Sequence, residues 1–325
     1  MCWILGLIFI FYIIYRTYRH FYPTLNIDPC GKYVLISGCD SGFGYQLAIE
    51  LDKDGFNVLA GVYNPTNQDS LSHQLSSRAT VFSLDITKQE DIDKVFTLVQ
   101  SKTNVLHALV NNAGIGKTGF IDWMSMEFLR NIMEVNFFGH VMMTKKFLPL
   151  LISKRDSRVV NVSSVAGYFA GPSMTAYASS KFALESFSDC LRREMNVWNL
   201  RVSIIEPGCM RTPIIEDIDK AMTDFWNKVP LDVKDRWGEE FWKDQLDQAN
   251  ANIFIQHAEN PNKVVRALRH AVLNTTPHIR YRPGWQSSLV LFPLSRAPTV
   301  LIDWFLQKAS PSRVLPVGLE KQIKE

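Results

Sequence analysis

Tyr177-Ala178-Ser179-Ser180-Lys181 is the stretch of this chain best equipped for chemistry. On a helix its phenol and ammonium stand four residues apart on one face, within reach of each other. An ammonium beside a phenol favours the phenolate and so lowers the tyrosine pKa. A tyrosine tuned in that way exchanges a proton with an alcohol oxygen. The same spacing also occurs as a solvated pair without a role. The chemistry therefore depends on whether the chain supplies a cofactor site and a second polar group.

The cofactor site is offered early. Tyr33 to Ser37 is a short apolar strand, and Gly38-Cys39-Asp40-Ser41-Gly42-Phe43-Gly44 follows it directly and opens a helix over Gly44 to Asp54. Glycines allow a tight turn and close approach of a pyrophosphate, and the helix start offers free N–H groups. The pattern of strand, turn and helix then repeats. Further strands are predicted over Asn57 to Val62, Ala79 to Leu84, Leu106 to Val110, Arg158 to Val162, Arg201 to Ile205 and His278 to Tyr281. Helices are predicted over Lys88 to Gln100, Ser125 to Ile152 (bent or ended by Pro149), Ala176 to Trp198 and Pro261 to Leu273. Such alternation predicts an α/β fold: a single Rossmann-type, doubly wound parallel sheet with helices on both faces, its motifs on one sheet edge.

The residues SGCDSGFG at 37–44, Asn111-Asn112-Ala113-Gly114, Asn136, Ser164, Tyr177 with Lys181, and Pro207-Gly208 with Thr212 stand in a recognisable order and spacing. Over about residues 31–282 the chain resembles the short-chain dehydrogenase/reductase family. GCDSGFG, Pro283-Gly284-Trp285 and the apolar N-terminus make it similar to the retinol and hydroxysteroid dehydrogenase branch. Where the family usually has Thr, this chain has Ser37, which keeps the hydroxyl. The resemblance implies that Tyr177 is the general acid/base, that Ser164 holds the substrate oxygen, and that Lys181 lowers the tyrosine pKa and binds the nicotinamide ribose. It implies that Asn136 holds a water in the proton relay. For the cofactor it implies contacts from Gly38, Ser41, Gly42, Phe43 and Gly44, from Asp85 and Ile86 beside the adenine, from Asn112, Ala113 and Gly114 on the floor, and from Pro207, Gly208 and Thr212 at the carboxamide. Asp85 also reads as a turn or capping acid, and Asn136 as an asparagine that kinks its helix. His107 and His140 read as structural, and no metal is needed where a cofactor carries the hydride.

Charge favours NAD over NADP. A 2′-phosphate calls for a nearby Arg or Lys, whereas the second strand ends Val62-Tyr63-Asn64 and Asp40 would repel a phosphate. The net charge of +3, without a basic run interleaved with aromatics, argues against nucleic acid. Five scattered cysteines show neither a CxxC pair nor zinc spacing.

Residues 1–22 read as a membrane anchor. The run from Trp3 to Tyr15 is apolar, and Arg16 and Arg19 follow it. Counted from Met1 and with flanking aromatics in the interface, it approaches the ~20 residues that span a bilayer. The basic flank places residues 28–282, the catalytic domain, on the cytosolic side, and with the resemblance implies the endoplasmic reticulum membrane. Residues 213–260 are rich in aromatics and aliphatics, which suits a cover over a large apolar alcohol. The extension 283–325 holds an interrupted apolar segment, Leu289 to Leu306, able to rest on a membrane or cover the pocket. The mixed run Asp232 to Lys243 reads as a solvated helix face. Asn161 and Asn274 head glycosylation triplets, the second in the better-exposed place. The partners expected are a lipophilic small molecule and membrane lipid, with a homodimer left open. The leading reading is a dehydrogenase that moves a hydride between NAD and a hydroxysteroid- or retinol-like alcohol. Its rivals are an NADPH-dependent carbonyl reductase, a nucleotide-sugar epimerase, whose glycine spacing this chain lacks, and a scaffold that binds cofactor without catalysis.

Overall fold

Apolar strands that alternate with one-sided helices can bury both faces of a sheet, and this chain does so in seven parallel strands. The computed structural model describes residues 24–212, 218–309 and 314–324, together with Gly6, Phe11 and Ile14. In chain order the elements are β1 (Tyr33–Ser37), α1 (Gly42–Asp54), β2 (Asn57–Val62), α2 (Asn67–Ser72), β3 (Thr80–Ser83), α3 (Gln89–Gln100), β4 (Ala108–Asn111), α4 (Met126–Met133), α5 (Gly139–Ile152), β5 (Arg158–Val162), α6 (Thr175–Glu194) and β6 (Arg201–Ile205). There follow α7 (Ile218–Asn227), α8 (Leu231–Trp237), α9 (Glu239–Asn250), α10 (Ile253–Gln256), α11 (Asn262–Leu273), β7 (Arg280–Tyr281), α12 (Thr299–Ala309) and α13 (Val317–Lys324).

The strand order is β3-β2-β1-β4-β5-β6-β7. Alternation along β1 divides the core between the two faces. Val34 and Ile36 pack with Leu47, Ala48 and Leu51 of α1 and Val264 and Leu268 of α11. Leu35 packs with Ile92 and Val95 of α3 and Met143 and Phe147 of α5. Burying each such side chain contributes about 1.5–3 kcal/mol, so both helix layers are fastened to the same strands. The order reverses between β1 and β4, and the crevice beyond their carboxyl ends is where such sheets hold ligands.

The helix expected over Ser125 to Ile152 is interrupted. A π-helical turn, Glu134–Phe138, separates α4 from α5 at Asn136. Pro149 does not end α5, which runs through it to Ile152. The segment expected to be a cover shares an apolar cluster with the loop after β4: Trp226, Val229, Val233 and Phe241 are buried with Trp123, and Phe120, Phe225 and Trp237 pack against them. The run expected to be solvated is partly engaged there, since Trp226 Nε1 donates to Glu239 and Arg236 pairs with Asp122. Asn274 is buried rather than exposed, because it accepts from the Thr24 hydroxyl and donates to Thr24 O. Asn161 is buried as well. The expected anchor at residues 1–22 lies outside the described residues save Gly6, Phe11 and Ile14. Among the described residues no helix is long and apolar enough to cross a membrane.

Candidate active site

Gly38, first residue after β1, takes φ +72°, and a Cβ there would stand 2.7 Å from Ala113 Cα. Only glycine lets the turn lie this close to the end of β4. The Ser37 hydroxyl accepts from Asn112 N and Ala113 N, both at 3.2 Å. Asn112 Nδ2 donates to Ser37 O at 3.0 Å and to Gly38 O at 2.9 Å. The hydroxyl kept by Ser37 thus stitches the glycine turn to the Asn112–Gly114 floor across the switch point. Ser41 precedes α1 in extended conformation and makes no side-chain cap bond. Ser41 therefore gives the first N–H groups of α1, at Gly42, Phe43 and Gly44, no side-chain acceptor, and helix starts of this kind hold a pyrophosphate.

Asp40 reaches across to β2. Its carboxylate accepts from Tyr63 N and Asn64 N, both at 2.8 Å, and from Asn67 Nδ2 at 3.1 Å. An acid thus stands at the end of the second strand, although the strand itself contributes none. Asp85 accepts from Thr87 N at 3.0 Å and from the Thr87 hydroxyl at 2.7 Å, the arrangement of a turn acid. Burial works to raise its carboxyl, and the Thr87 bonds with Lys88 outweigh that and hold it below the ordinary value. Ile86 is buried against Gly139.

At the reaction centre, α6 carries Tyr177 and Lys181, and Ser164 follows β5. Tyr177 is partly buried, and Ser164 is buried. The expected tuning of the phenol by Lys181 is not what the structure displays. Burial pushes the Tyr177 hydroxyl above its ordinary pKa, and a hydrogen bond with Ser164 offsets part of that rise. The Lys181 ammonium lies 5.7 Å from the centre of the Tyr177 ring and donates to Val162 O at 2.9 Å. Its own pKa is pushed down to about 8 by burial, against which Glu185, one turn further on, pulls upward. Two groups that cost free energy to charge thus stand together at one sheet edge.

Asn136 is fully buried in the π-turn. Its Oδ1 accepts from Ile115 N at 2.9 Å, while Nδ2 donates to Ile115 O at 2.9 Å and Ser180 Oγ at 3.1 Å. The Ser180 hydroxyl donates on to Tyr177 O at 2.7 Å. Asn136 therefore joins the loop after β4 to the first turns of α6, and π-turns recur at functional sites. Ser180 escaped the sequence reading, since nothing in Ser179-Ser180 tells which serine faces inward. His140 is buried with Nε2 2.7 Å from Ala113 O, and His107 with Nε2 3.0 Å from Val272 O. Both are structural.

Thr212 is buried with its hydroxyl donating to Met210 O at 3.3 Å. Pro207 O accepts from Val165 N at 2.9 Å, which sets the Pro207–Gly208 turn beside Ser164. Behind it, Arg280 pairs with Glu206 at 2.9 Å and with Glu185 and Asp189 at 3.1 Å, while Arg282 pairs with Glu206 at 2.7 Å. These bonds tie β7 to β6 and to the helix that bears Lys181.

Known proteins resemble this chain in sequence and fold. The sequence model of the short chain dehydrogenase family matches residues 32–223. The chain is 36% identical over 285 residues to 17-beta-hydroxysteroid dehydrogenase type 6 of Bos taurus, covering 86% of this chain and 89% of that one. It is 36% identical over 296 residues to retinol dehydrogenase 5 of Mus musculus, covering 88% and 92%. A solved structure of a short-chain dehydrogenase from Streptomyces avermitilis superposes with a TM-score of 0.67 at 26% identity, covering 85% of this chain and 96% of that one. With Tyr177, Lys181, Ser164 and Asn136 gathered at the carboxyl edge of a seven-stranded parallel sheet, the chain belongs to the short-chain dehydrogenase/reductase family, in its retinol and hydroxysteroid dehydrogenase branch, and is a nicotinamide-dependent oxidoreductase acting on CH–OH donors.

Proposed function

We propose that this enzyme oxidises a lipophilic secondary or allylic alcohol, of the hydroxysteroid or retinol kind, with NAD, at the endoplasmic reticulum membrane. The observation that carries the choice of NAD is Asp40, whose carboxylate sits against Tyr63 N and Asn64 N at the end of β2. That is the place from which an acid serves a free 2′-hydroxyl and repels a 2′-phosphate. The names of the relatives support the alcohol class, and the aromatic cover over residues 218–250 suits an apolar ring system. The apolar run before Arg16 supports the membrane.

The nicotinamide, when bound, supplies the hydride acceptor. The chain's own residues handle the proton and the geometry. As the phenolate, Tyr177 accepts the proton of the alcohol and becomes the neutral phenol; burial favours that protonated form, which donates in the reverse direction. Ser164 stabilises the substrate oxygen as charge develops on it. An ammonium has three N–H donors. Val162 O takes one from Lys181, which leaves two for ribose hydroxyls. Asn136 holds the Ile115 backbone and Ser180 in register with Tyr177.

Steady-state rates of the detergent-solubilised full chain on retinols, 3-hydroxysteroids and 17-hydroxysteroids, with NAD and with NADP, test this reading. Turnover of one class with a preference for NAD is the expected result; a strong NADP preference overturns the cofactor choice. Tyr177→Phe should lower kcat by about 10²–10⁴-fold while NADH still binds. Unchanged turnover would refute the role given to Tyr177.

A further inference from the structure

Gln286 lies beyond residues 32–223, the span matched by the family, yet its side chain is fully buried against the cofactor loop. Its Oε1 accepts from Cys209 N at 3.0 Å. Its Nε2 donates to Phe254 O at 2.8 Å and to His257 O at 3.0 Å, and its backbone N donates to Glu259 Oε1 at 3.3 Å. Three stretches meet on one amide: the turn at Pro207–Gly208, the end of the substrate cover around α10, and the segment after β7. A Cβ on Gly208 would stand 3.0 Å from Gln286 Cβ, so the loop lies directly on this residue. The contact continues on either side. Ser287 Oγ donates to Glu206 O at 2.6 Å, Glu259 N to Cys209 O at 2.9 Å, and Arg211 N to Glu259 O at 2.9 Å.

We propose that Gln286 is a positioning residue that fixes the Pro207–Thr212 loop against the substrate cover and so couples the binding of cofactor to that of alcohol. The proposal rests on the reading of that loop as the nicotinamide-facing one. The polarity of the site is specific. One face presents an N–H and the other two carbonyls, which matches a primary amide with one acceptor and two donors. Leucine, of similar length, takes from Cys209 N, Phe254 O and His257 O the partners that the amide gives them, at a cost in free energy. Glutamate keeps the acceptor for Cys209 N but, once ionised, turns an oxygen toward two carbonyl oxygens. Protonated, it donates to one of them. Burial beside carbonyls raises its pKa above that of a free glutamate.

The test is NADH binding by fluorescence, with the detergent-solubilised full chain, from pH 5.5 to 8.5, alongside kinetics with the alcohol. Q286L should weaken NADH about tenfold and raise the alcohol KM, with a smaller change in kcat. Q286E should bind NADH nearly as the wild type does at the acid end and lose affinity as pH rises, a profile that the wild type lacks. Variants that lose thermal stability but bind NADH as the wild type does at every pH overturn the proposal and reduce Gln286 to packing. A wild type that binds no NADH in the same assay overturns the reading of the loop, and the proposal with it.

Discussion

The proposed choice of NAD is tested most directly at Asp40. Its carboxylate accepts from two backbone N–H groups at 2.8 Å and one side-chain amide at 3.1 Å, and among the described residues no lysine or arginine pairs with it. Two unit charges 4 Å apart at an effective dielectric of about 20 repel by about 4 kcal/mol. Asp40 is only partly buried, so solvent and salt reduce the repulsion of a 2′-phosphate to about 1–3 kcal/mol. At about 1.4 kcal/mol per decade that corresponds to roughly 5- to 150-fold in NADP affinity. Asp40→Asn removes the charge and keeps one acceptor for the end of β2. Its NADP KM should therefore fall by that factor, while the NAD KM rises only a few-fold through the lost 2′-hydroxyl contact. Initial rates at varied cofactor concentration, at low and at high salt, measure both terms. Discrimination against NADP by the wild type should also weaken as salt rises, since part of it is Coulombic. An NADP KM that Asp40→Asn leaves unchanged would show that the carboxylate does not face the 2′ position, and the choice of NAD would lose its support.

Two further outcomes follow from buried and clamped groups. Burial, then repulsion from Lys181, holds His140 at about 3, and burial, then Arg158, holds His107 at about 4, both below the ordinary 6.5. Both rings are neutral in the folded chain, whereas the unfolded chain takes up protons below about 6.5. The stability they contribute is whole above that pH and is lost as pH falls toward about 4, by about 1.4 kcal/mol for each pKa unit of depression. Thermal unfolding between pH 7.5 and 4.5 should show the loss, and His140→Gln, which keeps a donor for Ala113 O, should remove the His140 share and leave that of His107; a flat wild-type profile would refute the assignment. Asp122, in the segment after β4, accepts from Arg236 Nε at 3.0 Å and Trp237 Nε1 at 2.7 Å and so holds the proposed cover in place. Asp122→Ala should raise the alcohol KM about fivefold and leave NADH affinity unchanged, and a change confined to NADH would show that the cover does not bear on the alcohol.

What could be read from the sequence was whatever depends on local order along the chain. The glycine turn after β1, the strands through β6 and the residues on α6 follow from patterns in which neighbours in sequence are neighbours in space. What escaped reading depends on distant parts meeting. Asp40 was legible as a charge hostile to phosphate, but its placement at the end of β2 needs the turn to fold over onto Tyr63 and Asn64. A kink at Asn136 was one reading of the sequence, but that it is a π-turn was not legible, because helical periodicity continues on both sides and the bonds of its amide to Ile115 and Ser180 join distant segments. Asn274 looked exposed because its neighbours are threonines, yet it is the anchor for Thr24, 250 residues away. The clearest correction concerns Tyr177 and Lys181. Spacing alone suggests that one charge stabilises the other, but spacing carries no information about solvent. In the fold the phenol is partly and the ammonium almost wholly withdrawn from water, and desolvation works against the charged form of each. Burial thus favours the protonated phenol of Tyr177, and the hydrogen bond with Ser164 offsets part of that preference.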